Sequence, residues 1–300
     1  MKLVRFSTNG QAPRLGILDG ERVADVQQSL AATLARRGVV RAQEIAETLV
    51  PQSTRRFLEG GAASRDAVAS ITEWVTVPRA SARLHAPISD PGKFICIGLN
   101  YKDHAEEAGM PIPKEPPIFP KWNNTILDPG EPILHPRGST QLDWEVELGV
   151  VIGRTARHVP REQALDYVWG YVNINDVSAR DFQFITSQWS AGKIADTFAP
   201  VGPFIADRAE IPDPHVLDLK LWVNGTQMQS GNTRTFIFDV RYIVSYLSGL
   251  LTLEPGDLIA TGTPPGVGFA KKPPVFMQPG DVCRLEITGL GTLENPVKDG

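Results

Sequence analysis

Apolar residues recur along this chain at two spacings, and the spacing changes near residue 80. In "RLGILDGERVADV" they alternate on either side of Asp19 and Gly20. That predicts a hairpin with this pair as its turn, because both residue types tolerate the positive φ of a type I′ turn. Residues 25–38, 41–49 and 52–58 then carry Ala, Leu, Gln and Glu at helical spacing, until "GGAAS" punctuates them. Residues 1–80 thus predict a small α+β cap, with no recognisable chemistry in it.

From about residue 90 to residue 300 the pattern becomes one of short strands divided by Pro and Gly. "WEVELGVVIG", "LDLKLWVNG" with an Asn224-Gly225 turn, "DLIATGTP" and "DVCRLEITG" all read as strands. In the last of these Cys283, Leu285 and Ile287 alternate with Arg284 and Glu286, which puts Cys283 in a core. One helix interrupts the strands: Val240, Ile243, Val244, Leu247, Leu250 and Leu251 share a face, and Pro255 lies just past its end. Prolines number 25 and no regular helices space the strands. The pattern therefore favours an α+β, β-rich domain of roll or barrel-like form over a doubly wound parallel sheet.

Composition narrows the partners. The 300 residues carry a formal net charge of -4, so there is no basic footprint for nucleic acid or an anionic membrane surface, and small diffusible ligands are the expected partners. The two cysteines, Cys96 and Cys283, each sit in an apolar run far from the other, which suggests neither a disulfide framework nor a thiolate metal site and fits a reducing cytoplasm. The first residues lack the apolar core of a signal peptide, and no apolar run approaches the ~20 residues needed to span a bilayer.

Polar chemistry collects where strands end. In "FICIGLNYKDHAEEAG", residues 94–109, an apolar run breaks at Gly98 and is followed by Asn100, Tyr101, His104, Glu106 and Glu107. If a helix starts there, His104 and Glu107 share a face, so the carboxylate can orient the imidazole and raise its basicity. A solvated helix start explains the same residues, and the motif alone does not decide between the two.

In "DWEVELGVV", Glu145 and Glu147 fall on one side of a strand and Trp144, Val146, Leu148 and Val150 on the other. A solvated outer face is one reading. The run into "GVVIG" favours a buried strand, however, and buried carboxylates need a cation or must take up protons. "YVNINDVSARDFQ" ends a second apolar strand at Asp176, with Arg180 and Gln183 after it. Three carboxylates without cysteine or clustered histidine describe a site for a hard cation, Mg²⁺ or Mn²⁺, and not Zn²⁺. Lys193, with Thr197 four residues on, lies in "SAGKIADTFAPVGP", and Thr263 lies in the glycine-rich "IATGTPPGVG". Each of these segments alone reads equally well as surface or turn.

Taken in order, Gly98-Leu99-Asn100-Tyr101 with His104, the Glu145/Glu147 pair, "NDVSARDFQ", Lys193 and "TGTPPGVG" resemble the fumarylacetoacetate hydrolase family over about residues 90 to 295. "KFICIGLNY" and "MPIP", with the N-terminal cap, are most similar to its longer bacterial branch of acylpyruvate and 2,4-diketo-3-deoxy sugar acid hydrolases. The resemblance implies that Glu145, Glu147 and Asp176 are ligands of a divalent ion and that His104 is a water-activating base paired with Glu107. It further implies that Lys193 faces a developing enolate and that Arg180, Gln183, Thr197 and Thr263 are substrate-side residues. The stretch "FPKWNNTI" offers only Lys121 as a further candidate.

The activity so implied is hydrolysis of the bond between C3 and C4 of a 2,4-diketo acid, giving pyruvate and a carboxylic acid, in a cytoplasmic homodimer. Oxaloacetate decarboxylation and keto-acid isomerisation or hydration are rivals within the family, and a non-catalytic β module holding a structural Ca²⁺ is a rival outside it. The remaining histidines, His85, His135, His158 and His215, lie near prolines and read as structural or exposed.

Overall fold

The computed structural model describes residues 1–107, 109 and 111–300; the "MPIP" phrase begins at Met110, outside the described residues. Strands β1 (Lys2–Ser7), β2 (Arg14–Asp19) and β3 (Arg22–Asp25) form an antiparallel meander. Asp19 pairs with Arg22, so the hairpin loop is Gly20-Glu21 and not the expected Asp19-Gly20. Gly20, at φ +51°, supplies positive φ at the first central position, which suits glycine better than aspartate.

Helices α1 (Val26–Arg36), α2 (Ala42–Leu49) and α3 (Thr54–Glu59) follow as expected. Asp25 and Ser53 cap α1 and α3 by accepting from the Gln28 and Arg56 N–H groups. A fourth helix, α4 (Gly61–Ala69), was not anticipated; "GG" separates two helices rather than ending the helical region, and the alanines beyond it are strong helix formers.

The chain continues through β4 (Thr76–Pro78), β5 (Arg83–His85), β6 (Phe94–Ile97), α5 (Lys102–Glu107), β7 (Ile118–Lys121), β8 (Ile126–Leu127), β9 (Ile133–His135), β10 (Leu142–Asp143) and β11 (Val146–Ile152). It then forms β12 (Val168–Asn175), β13 (Ser178–Ala179), α6 (Arg180–Gln183), β14 (Ala199–Asp207), β15 (Asp218–Val223) and β16 (Thr226–Asn232). Helix α7 (Val240–Leu250), β17 (Leu258–Ala260), β18 (Val282–Ile287) and β19 (Thr292–Asp299) complete it. Asn224-Gly225 is the β15–β16 turn, with φ of 50° and 77° as a type I′ turn requires. In α7 Val240, Ile243, Val244 and Leu247 are buried, whereas Leu250 turns out to solvent.

One large sheet runs β4-β3-β2-β1-β14-β12-β11-β17-β6-β7, and a five-stranded sheet runs β16-β15-β18-β19-β9. The segment before residue 80 enters the large sheet through Lys2↔Ala206 and Leu3↔Ile205. The sheet path stays open, so the roll expectation fits better than a barrel. Both faces of the large sheet are covered. On one, Val146, Leu148 and Val150 of β11 join a core with β15, β18, β19 and α7; on the other, Val151, Val172 and Ile205 join a core with α1, α3 and α4. That is why all seven residues of β11 are buried and why charged residues on it must find partners inside. Among the described residues no helix is long and apolar enough to cross a membrane.

Candidate active site

The start of β11 and the end of β12 bring three carboxylates together. Oxygen atoms of Glu145, Glu147 and Asp176 lie within 4.8 Å of one another, all buried. Asp176 is tied to this geometry by its own backbone, whose N–H donates to the Glu145 carbonyl at 2.9 Å. Cations surround the acids. Arg180 donates to Asp143 (2.8 Å) and Glu145 (2.7 Å), and Lys193 donates to Glu145 (2.8 Å) and Asp176 (2.9 Å). Burial alone would raise the Glu145 carboxyl, but Lys193 and Arg180 outweigh it and hold that group at about 2. Glu147 moves the other way: burial, then the neighbouring Asp176 and Glu145, push its carboxyl well above the ordinary value.

The donor set fits a hard divalent cation on two observations. Lys121 Nζ lies 2.8 Å from Asp176 Oδ1, yet its three protons go to the carbonyls of Val177, Lys193 and Phe198 at 3.1, 2.7 and 2.7 Å. Asp176 Oδ1 is therefore buried with no hydrogen bond of its own, an open lone pair facing cationic neighbours. The second observation is Glu147, a carboxyl raised by burial first and by Asp176 and Glu145 next, whose ionised form a cation at the cluster would favour. All the donors are oxygen, as Mg²⁺ or Mn²⁺ prefers.

The glycine-rich segment at residues 261–269 holds the acids in place from the other side. Gly262 N–H donates to Glu147 at 2.8 Å, Gly266 N–H to both Glu107 oxygens at 3.1 and 3.0 Å, and Gly268 and Phe269 N–H to Asp143 at 2.7 and 3.0 Å. Gly266, at φ +107°, has no room for a side chain: a Cβ would stand 2.1 Å from the Met228 carbonyl oxygen.

His104 sits on α5, buried, with Nδ1 3.5 Å from Glu107 Oε2. This is an ion-pair separation and not a closed hydrogen bond, since Nδ1 has no hydrogen-bonded partner. Burial opposes the Glu107 carboxylate, but its interactions with His104, the Gly266 N–H and Lys271 prevail and hold it below its ordinary value. A cleft of about 450 Å³, open to solvent, joins His104 to Glu145, Glu147, Arg180, Gln183, Lys193 and Thr263.

The same segments carry the kinship. The family description "Fumarylacetoacetate (FAA) hydrolase C-terminal" matches residues 93–298. The chain belongs to the fumarylacetoacetate hydrolase family. A Burkholderia lata protein named only as a hydrolase is 46% identical over 297 residues, covering 97% of this chain and 96% of its own. The maleylpyruvate hydrolase of Sphingobium sp. SYK-6, solved with manganese(II) and pyruvate, superposes with a TM-score of 0.77 at 32% identity and full coverage of both chains. The 2-hydroxyhepta-2,4-diene-1,7-dioate isomerase of Mycobacterium marinum superposes with a TM-score of 0.75 at 33% identity, covering 100% of this chain and 98% of that one.

Of the residues expected from the fumarylacetoacetate hydrolase family, nine come together and one does not. Thr197 is absent from the cleft lining; its Oγ1 accepts from the Leu134 N–H at 2.8 Å, because a φ of 69° turns the residue toward β9. Thr263 lines the cleft but spends its hydroxyl on the Val146 carbonyl, at 3.0 Å, and on Gln229. Arg180 uses three of its five N–H groups on Asp143, Glu145 and Gln183, leaving two. Two buried residues, Asp143 and Gln229, went unread in the sequence, and Asn100 was read there only as part of a motif, without a role. Asp143 anchors both Arg180 and the glycine-rich segment, and Gln229 donates to Thr263 and Pro264. Asn100 pins the segment after Gly98 to Phe238 and Thr261. The only sequence signal for Asp143 was an acid beside Trp144 at the start of a buried strand.

Proposed function

We propose that this protein hydrolyses the C3–C4 bond of a 2,4-diketo acid, releasing pyruvate and a carboxylic acid. The observation that carries the reading is a histidine–carboxylate pair opening onto the same cleft as a buried all-oxygen acid cluster. Support comes also from the Sphingobium relative, whose complex holds manganese(II) and pyruvate. Glu145, Glu147 and Asp176 would hold Mg²⁺ or Mn²⁺, which when bound polarises the 2-oxo acid end of the substrate.

The chain's own residues do the rest. His104, oriented by Glu107, takes a proton from water as the water oxygen bonds to C4. The C3–C4 bond then breaks, and its electron pair passes through C3 to the 2-oxo oxygen as an enolate. Lys193 stays protonated: burial works against its charge, but Asp176 and Glu145 prevail and raise its pKa, so an ammonium stands ready where that negative charge develops. A proton delivered to C3 completes pyruvate. Gln183, whose Oε1 accepts from Arg180 at 2.9 Å, keeps its amide N–H groups for the substrate.

Isomerisation is the second reading, because the Mycobacterium marinum structure at comparable similarity is an isomerase. The assay that separates the two is pyruvate release from acylpyruvates, diketo sugar acids and oxaloacetate with Mg²⁺ and Mn²⁺; rearrangement without pyruvate release would displace hydrolysis. The assembly we expect is a homodimer, which sedimentation would check.

A further inference from the structure

Beyond the acids, the cleft is walled by Ile97, Leu99, Phe119, Phe184, Trp189 and Phe269. These side chains form a graded path outward. Phe119 lies deep, with Lys193 Nζ 5.1 Å from its ring centre, and Trp189 packs edge-on against it at 5.8 Å. Gly98 exists to admit Trp189, since a Cβ there would stand 2.3 Å from the indole. Elsewhere on the lining the Arg180 guanidinium lies 4.6 Å from the Phe269 ring, and Phe184 meets Phe269 edge-on at 5.9 Å. Phe184 is 52% exposed, so it stands at the mouth.

The charges along this path are all spoken for. The lining cations are Arg180 and Lys193, and His104 is the lining imidazole. Arg180 is paired with Asp143 and Glu145, Lys193 with Glu145 and Asp176, and His104 faces Glu107. Lys271, outside the lining, adds its charge to Glu107. Each lining cation is thus already paired with protein carboxylates, and what donors remain, two N–H groups of Arg180 and the Lys193 ammonium, lie beside the acid cluster where the 2-oxo acid end is held, while the rest of the lining is mostly aromatic and aliphatic. Burying a carboxylate against it would cost desolvation without a partner.

We infer that the acyl end of the substrate is uncharged and apolar, aliphatic or aromatic, and that Phe184 is the residue that selects it. The inference rests on the hydrolytic reading for the position of the acyl end, which points away from the acid cluster. A substrate such as maleylpyruvate, with a carboxylate at its far end, is selected against by this wall.

The experiment compares acetylpyruvate, benzoylpyruvate and maleylpyruvate on the Mn²⁺-loaded protein and on Phe184→Ala. The expected result is a higher kcat/KM for benzoylpyruvate than for maleylpyruvate. Phe184→Ala should lower the benzoylpyruvate to acetylpyruvate ratio by about 5- to 10-fold through KM, as loss of one aromatic contact does. Maleylpyruvate turning over as well as or better than benzoylpyruvate, or an unchanged ratio in Phe184→Ala, would overturn the inference. Binding to His104→Ala by calorimetry separates it from the reaction itself. If the unsubstituted protein hydrolyses none of the three yet benzoylpyruvate binds His104→Ala more tightly than maleylpyruvate, the apolar wall stands and the hydrolytic reading falls; the reverse order of affinities overturns the wall.

Discussion

Among the described residues three histidines stand beside a carboxylate, His85, His104 and the surface His215, and the tightest pair is not in the cleft. His85 Nδ1 is 2.6 Å from Asp128, and its Nε2 is 2.9 Å from Ser7 Oγ, the order of partners seen in a nucleophilic triad. His104 is a loose 3.5 Å from Glu107. The difference is in what remains unsatisfied. Both ring nitrogens of His85 are occupied, Asp128 also accepts from the Ala86 N–H at 2.8 Å, and Ser7 is 5% exposed. That chain straps β1 to β5 and to the turn after β8, and has no valence left over for a reactant. His104 leaves Nδ1 without a closed hydrogen bond and shares a cleft with three acids. Short distances mark a completed network, whereas a catalytic pair in the absence of substrate is often long and tightens later.

The comparison is sharpest at the acids that His104 faces. Asp176→Asn or Glu145→Gln removes a charged ligand, and pyruvate release should fall by about 10³-fold or more with the loss of the main electrostatic stabiliser. Metal binding measured by calorimetry should weaken in parallel. Full activity in a metal-stripped preparation would sink the assignment of the acid cluster.

Next in size is His104→Ala, which should lower acylpyruvate hydrolysis by about 10²- to 10⁴-fold, as lost general base catalysis does. Oxaloacetate decarboxylation needs no attacking water and should fall much less. Equal losses with unchanged metal affinity would give His104 a positioning role only.

A smaller effect concerns pH and metal. In the metal-free protein Glu147 is raised, so the folded chain keeps a proton that the unfolded chain gives up above its usual value of about 4.3. The folded state then binds more protons, and metal-free stability falls as pH rises above that value. A bound cation removes this penalty. The rise in Tm on adding Mn²⁺ should therefore be larger at about pH 7.5 than at about pH 5.5. Equal rises at the two pH values would mean that Glu147 gives up no proton to the metal.

The smallest catalytic effect is expected at the tighter pair. His85→Ala should leave pyruvate release within about 2-fold while costing about 1–3 kcal/mol of stability, since buried Ser7 and half-buried Asp128 lose their partner. Denaturant titration alongside the assay checks both halves; loss of turnover in a folded His85→Ala protein would reverse the comparison.

The sequence was most legible where one physical rule acts alone. Period-two alternation located β15 and β18, and helical spacing located α1, α2 and α7. The Glu145/Glu147 pair announced itself because two acids on one side of a buried strand demand compensation. Gly20 shifted its hairpin by one residue because the choice between turn types depends on a pairing register that the local sequence leaves open. Asp143 and Gln229 were illegible because their partners lie far away in the chain: Gly268 and Phe269 for one, Thr263 and Pro264 for the other. Thr197 failed for a related reason, its backbone being turned away by contacts with β9. The glycine-rich segment read as a turn, yet its N–H groups hold three acids at once, which only the folded arrangement of β11, α5 and β17 reveals.

The central claim is that His104 delivers water to C4 of a 2,4-diketo acid, and turnover in ¹⁸O-labelled water tests it most directly. The account predicts pyruvate and, in the released carboxylic acid, one labelled oxygen per turnover in its carboxyl group, with this product suppressed in His104→Ala. Consumption of the diketo acid by rearrangement with no acid released, or release of an unlabelled acid, would contradict it.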